Sequence, residues 1–151
     1  MKLSENIKPI SGRLTLQAFD SKGRELWTKQ DNNHIVLTGY NAVARAIAGQ
    51  VNARVNRVSV GTNGTPPTDN DTALTGKVDF TPTVSYPTPT TLQFDFLIGN
   101  FDANGTVIRE FGLITADDKL FSRITEIDGV PINIDKSSNF ALRGIWTINI
   151  I

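Results

Sequence analysis

The chain has no cysteine, a single histidine and no excess of either charge. Each absence removes a class of chemistry. Without cysteine there is no disulfide framework, no zinc–thiolate centre and no thiol nucleophile. One histidine cannot build a histidine-rich metal site. As part of a Ser–His–Asp system, His34 would need partners that its spacing does not identify. It stands beside a polar break and is expected to be a half-exposed strand residue. Fifteen basic and fifteen acidic residues cancel, so the basic excess expected of a general nucleic-acid binder is missing. No stretch approaches the length of a membrane span, and the opening M-K-L-S-E-N-I-K-P holds no apolar run of signal-peptide length. The expectation is a protein made in the cytoplasm, with neither nucleic acid nor membrane as a partner. Zero net charge also does little to keep copies of a chain apart, which favours self-association.

What is present is alternation. At 151 residues one domain is expected, over 11–151, behind a flexible arm at 1–10 that ends in Lys8-Pro9. Leu14, Leu16 and Ala18 alternate with polar residues, and Asp20–Gly23 carries turn chemistry before Leu26 and Trp27, so Gly12–Lys29 predicts a β-hairpin. The alanine-rich stretch 39–49 predicts the one helix, with Thr38 as N-cap, Gly49 as terminator and Tyr40, Val43 and Ile47 as its apolar stripe. Its small residues suit flat packing on a sheet. Val55, Val58 and Val60 predict a strand, and 77–86 another, which Pro82 and Pro87 confine to an edge or end early. Leu92, Phe94, Phe96 and Ile98 form the strongest apolar face, and Asn104-Gly105 is the preferred pair for a tight hairpin. Strands follow at 107–115 and 120–127, then a short Pro-interrupted edge segment at 129–134. A long last strand carries Phe140, Leu142, Gly144, Trp146, Ile148 and Ile150. About eight short strands with turns every ten residues, and one short helix, predict a mainly β protein: an antiparallel β-sandwich or flattened barrel.

Several groups could carry chemistry, and each has a plainer structural reading. Asp69, Asn70 and Asp71 offer oxygen ligands but lack the order of a calcium loop, and capping of a helical turn at 72–74 explains them better. Asp102, Asn104 and Gly105 read as turn residues. Gly61–Gly64 follows a strand as a phosphate loop would, yet lacks Gly-Lys-Ser/Thr and runs into two prolines. Arg109 and Glu110 stand inside an apolar strand, and because an unpaired buried charge costs several kcal/mol they are expected to form a structural ion pair. Trp146 is expected in the core. Trp27 and Tyr86 could form a sugar platform. No catalytic residue, metal ligand or cofactor is predicted.

Two stretches matter in combination: V-N-R-V-S-V-G-T-N-G-T-P-P-T-D-N-D-T-A-L at 55–74, and I-R-E-F-G-L-I-T-A-D-D-K-L-F-S-R at 108–123. With the small-residue helix before them and the W-T-I strand at 146–148, they resemble tailed-bacteriophage virion proteins of the tail-fibre attachment, collar and baseplate type. The likeness runs from Ile35 to the C-terminus and leaves the hairpin at 12–29 unmatched. The family's motifs are structural, so the resemblance implies no catalytic residue. No fibre shaft or receptor-binding tip follows the last strand, which favours a small collar, neck, adaptor or baseplate subunit. It implies a non-enzymatic role in the virion, with copies of itself and other phage tail or neck proteins as partners. The long loop at 62–71 is pre-ordered by its prolines, and Thr62, Asn63, Gly64, Thr65, Pro66 and Pro67 are the candidate assembly contacts. The alternative expectation is a small carbohydrate- or ligand-binding β-sandwich using Trp27 and Tyr86.

Overall fold

A computed structural model describes residues 10–150. The arm expected at 1–10 lies outside these residues except for Ile10, which already belongs to the first strand. That strand, β1 (Ile10–Asp20), alternates as its sequence dictates, with Ile10, Leu14, Leu16 and Ala18 turned inward. It turns through Asp20–Gly23, where Gly23 takes a φ of +78°, into β2 (Glu25–Asn32). The expected hairpin is therefore present. It is also central to the fold, because β1 pairs along its whole length with β14 (Phe140–Ile150). β14 continues to β7 (Thr91–Ile98), and β7 to β6 (Thr83–Thr88). The first sheet thus runs β2-β1-β14-β7-β6, antiparallel throughout.

The second sheet contains β3 (His34–Ile35), β4 (Val55–Gly61), β5 (Val78–Phe80), β9 (Glu110–Thr115) and β10 (Leu120–Ile124), in the order β3-β10-β9-β4-β5. Two small ribbons, β8 (Val107–Ile108) with β13 (Ile134–Asp135) and β11 (Glu126–Ile127) with β12 (Val130–Pro131), complete the strands. Among the described residues the architecture is the expected mainly β, antiparallel β-sandwich, with one α-helix.

Between the sheets lie Leu14, Leu16, Phe94, Phe96, Ile98, Leu142, Trp146 and Ile148 from the first, facing Val58, Val60, Phe111, Leu113 and Phe121 from the second. Full burial of each such side chain stabilises by about 1.5–3 kcal/mol. Trp146 is fully buried, as expected. One close approach explains a glycine: Phe96 pairs across the sheet with Gly144, and a Cβ there would stand 2.0 Å from the Phe96 ring. The aromatic ring fills the space that the glycine leaves.

The structure corrects three local expectations for strands and turns. The stretch 77–86 is not one strand: Thr81-Pro82 interrupts it, so β5 ends the second sheet and β6 begins the first. Proline cannot donate to the ladder, and the chain uses that break to change sheets. Asn104-Gly105 does not close a hairpin, because β7 and β8 belong to different sheets. Residues 72–74 form no helical turn.

Helix α1 (Leu37–Ile47) starts two residues early, with Val36 at the N-cap, while the Thr38 hydroxyl donates to the Leu120 carbonyl at 2.5 Å. Ala48 caps the other end and Gly49 follows with φ +89°, as its glycine predicts. The helix does lie close on the sheet, but through Gly39 and Ala42 rather than the larger stripe. A Cβ at Gly39 would stand 2.0 Å from the Phe121 carbonyl oxygen. An approach that close admits only the smallest residues, so Val43 is half-buried and Tyr40 and Ile47 stay exposed.

Candidate functional site

β9 and β10 are buried on both faces. One face looks into the sandwich. The other carries Glu110, Gly112 and Ile114 on β9, with Arg123 facing Gly112 across the ladder. Loop 62–77 covers this outer face. Leu74 lies over Gly112, where a Cβ would be 3.1 Å from its methyls, and joins Val36, Ile114 and Leu120 in a second small core.

Beneath the loop sits a buried ionic clasp. Glu110 is 0% exposed and Arg123 2%. The Arg123 guanidinium uses three nitrogens on three different acceptors. Nε donates to Glu110 Oε1 at 2.9 Å, Nη1 to Asp71 Oδ2 at 2.9 Å, and Nη2 to the Asn63 carbonyl at 2.8 Å. The other Glu110 oxygen, Oε2, accepts the backbone N–H of Asn63 at 2.7 Å and of Thr75 at 3.3 Å. Asp71 in turn accepts the Thr68 N–H at 3.0 Å and the Thr68 hydroxyl at 2.9 Å. Burial alone would raise the Asp71 pKa, but these Thr68 hydrogen bonds and the Arg123 guanidinium outweigh it and hold the carboxyl below its usual value. Gly61 is required here, because a Cβ would meet the Thr75 carbonyl at 2.8 Å and the Glu110 carboxyl carbon at 2.9 Å.

The expected Arg109–Glu110 pair is therefore wrong in its cationic partner. Arg109 falls in the one-residue break between β8 and β9 and is exposed, whereas Glu110 opens β9 and is buried. The charge that answers Glu110 comes from Arg123, one strand away. Sequence reasoning missed Arg123, although a charged residue inside L-F-S-R-I was the available signal. It also missed Lys136, 1% exposed, whose Nζ donates to Asn104 Oδ1 at 2.9 Å and the Ser137 carbonyl at 2.8 Å. Burial lowers the Lys136 pKa. Asp102 and Asn104 are the turn residues expected, with the Asp102 carboxylate accepting the Gly99 N–H.

Of the candidate contact residues, Asn63, Gly64, Thr65 and Pro66 form the exposed crest of the loop, and Thr62 and Pro67 are half-buried. The Asn63 side chain closes the crest by accepting from Thr65 N–H at 3.1 Å, while its backbone is held by the clasp. Asp69 and Asp71 do not cap a helical turn after them. Asp71 serves the clasp, and Asp69 accepts the Leu37 N–H through its carbonyl and meets His34 Nε2 through its carboxylate at 2.7 Å. His34 is half-exposed, as expected. Asp69 is the only hydrogen-bond partner of its ring among the described residues. The polar cleft next to it, about 330 Å³, is bounded by Asn33, His34, Pro67 and Glu126.

Trp27 and Tyr86 lie on β2 and β6, the two opposite edges of the first sheet. Four strand spacings of about 4.8 Å put them roughly 19 Å apart, so they share no platform. The Lys29 ammonium also covers the Trp27 ring at 4.9 Å. Tyr86 instead borders an apolar groove of about 580 Å³. No family model, curated protein or solved structure matches the chain.

Proposed function

We propose that this protein is a non-enzymatic structural subunit of a tailed-phage virion, of the collar, neck, tail-fibre adaptor or baseplate kind, acting through assembly of several copies with other tail or neck proteins. The observation that carries this reading joins sequence to structure. The residues that make the two motifs resemble those virion proteins converge on one structural device. Gly61, Asn63, Asp71 and Leu74 come from the first motif, and Glu110, Gly112 and Arg123 from the second. The motifs thus have a mechanical reason to occur together: they latch a long loop to a sheet and present its crest, Asn63–Pro66, as a stiff projection. A projection held from below loses little conformational entropy when a partner docks. Zero net charge supports self-association. The buried carboxylate and guanidinium are spent on each other, on Asp71 and on backbone groups, a structural use of charge.

Sedimentation velocity on the purified chain at rising concentration tests the reading. The expected result is a discrete oligomer at tens of micromolar. A strict monomer at that concentration, or saturable binding of a sugar by that monomer, would overturn it.

A further inference from the structure

The apolar groove lies where the two sheets part, between α1 and the end of the first sheet. Ala42, Val43, Ala46 and Ile47 form one wall, and Val84, Tyr86, Leu92, Phe94 and Ile148 the other. Several of these remain open to solvent: Ile47 is 83% exposed and Tyr86 72%. Arg54 is the single charged residue along the groove among the described residues. Ile10 and Ile150, paired with each other, also border it. The chain therefore enters the fold at the groove's edge, with nine residues ahead of Ile10.

Those nine residues match the groove in pattern. In M-K-L-S-E-N-I-K-P, Met1, Leu3, Ile7 and Pro9 stand at odd positions, and Lys2, Ser4, Asn6 and Lys8 at even ones. An extended chain puts odd and even positions on opposite faces, so one face is apolar except for Glu5. Glu5 is the complement of Arg54. Reach also fits, since an extended chain spans up to about 3.5 Å per residue, or roughly 30 Å for nine. The groove crosses the strands from β1 to β6, three spacings or about 15 Å.

We propose that the groove is the docking site for the segment Met1–Pro9 of a second copy of this chain, with Leu3 and Ile7 on its apolar floor and Glu5 beside Arg54. A neighbouring copy is favoured over the chain's own segment by the junction. To fill its own groove the segment would have to turn sharply across the strand ends immediately before Ile10. Proline at position 9 fixes its own φ and biases Lys8 towards an extended form, which disfavours such a turn. Each copy then offers one segment and one groove, an arrangement that closes as a reciprocal dimer or a ring. This inference rests on the assembly reading above and names the contact that drives it.

The absence of native cysteine makes the test direct. Two single-cysteine proteins of different tagged size, Ile7→Cys and Tyr86→Cys, are mixed under mild oxidation. The control partner is Lys22→Cys, in the turn at the far end of β1. Docking predicts at least tenfold more mixed disulfide with Tyr86→Cys than with the control, and equal yields would overturn it. As a second measurement, Glu5→Arg and Arg54→Glu should each weaken the oligomer, and the two changes together should restore it. If the oligomer persists unchanged after residues 1–9 are deleted, this inference fails while the assembly reading stands. A full-length chain that stays monomeric ends both.

Discussion

Arg123 shows how much one side chain can organise. Its guanidinium has more donors than any single acceptor can use, and the structure places a carboxylate on either side and a carbonyl at the third nitrogen. Glu110 is fully buried behind it. Taking both charges out of water is costly, and the hydrogen bonds to Asn63 and Thr75 compensate by occupying the remaining carboxylate lone pairs. Removing one partner is worse than removing both, because a buried charge is then left alone. Arg123→Ala is expected to cost about 3–5 kcal/mol in urea unfolding. Arg123→Met combined with Glu110→Gln should recover part of that loss. A change below about 1 kcal/mol for Arg123→Ala would show that water reaches Glu110 readily and that the clasp is not buried in solution.

At the scale of elements, loop 62–77 turns from a connector into a structural part. From its length and its two prolines alone, replacing residues 63–68 with a short Gly-Ser link would be expected to leave the monomer's melting nearly unchanged while weakening assembly. The hydrogen bonds contradict the first half of that expectation. The Asn63 N–H and carbonyl satisfy Glu110 and Arg123, and Thr68 satisfies Asp71. Deleting them leaves buried polar groups unpaired, each at a cost of about 1–3 kcal/mol. The shortened chain should therefore melt several degrees lower by calorimetry, even as an isolated monomer. An unchanged melting temperature would mean that the loop is held only by Leu74. A milder change at the crest, such as Thr65→Ala, leaves these backbone bonds in place and separates a contact role from a stability role. Pro82 teaches a similar lesson for strands. Its effect as a strand breaker is visible in sequence, but the destinations of the two halves, on different sheets, are decided by the partners available to β5 and β6.

The whole molecule answers to acid through its aspartates. Hydrogen bonds from Arg45 and Thr115 lower the Asp117 pKa from 3.8 to about 2. At Asp79 burial pushes the pKa upward, but bonds from Lys77 and Ser59 prevail and lower it, as Thr68 and Arg123 do at Asp71. A carboxyl with a depressed folded pKa contributes stability that is fully present above its unfolded value and lost as pH falls towards the folded one. Unfolding free energy should thus be level above about pH 5 and fall between roughly pH 4 and pH 2. Asp117 also ties α1 to the β9–β10 turn, at 2.6 Å from Arg45. Asp117→Asn should flatten that fall, measured by denaturant titration at several pH values, and an unchanged slope would show that Asp117 ionises alike in both states.

The sequence by itself determined the material of this fold. Period-two alternation at Leu14–Ala18, Phe94–Ile98 and Leu142–Ile148 was enough to specify strands with one buried face. The alanine run ending in Gly49 specified a single helix, and the turn at Asp20–Gly23 specified the first hairpin. These are local rules, in which each residue is read against neighbours a few positions away. Tertiary structure decided everything that depends on residues distant in the chain. It placed Ile10–Asp20 against the last strand, sent β5 and β6 to different sheets and fitted Gly144 beneath Phe96. It joined Glu110 to Arg123, and Arg123 in turn to Asp71, instead of joining Glu110 to its neighbour Arg109. The physical reason lies in that last pair. Alternation along a strand puts adjacent side chains on opposite faces, so a buried charge must find its partner across the sheet, and that partner is set by pairing and register.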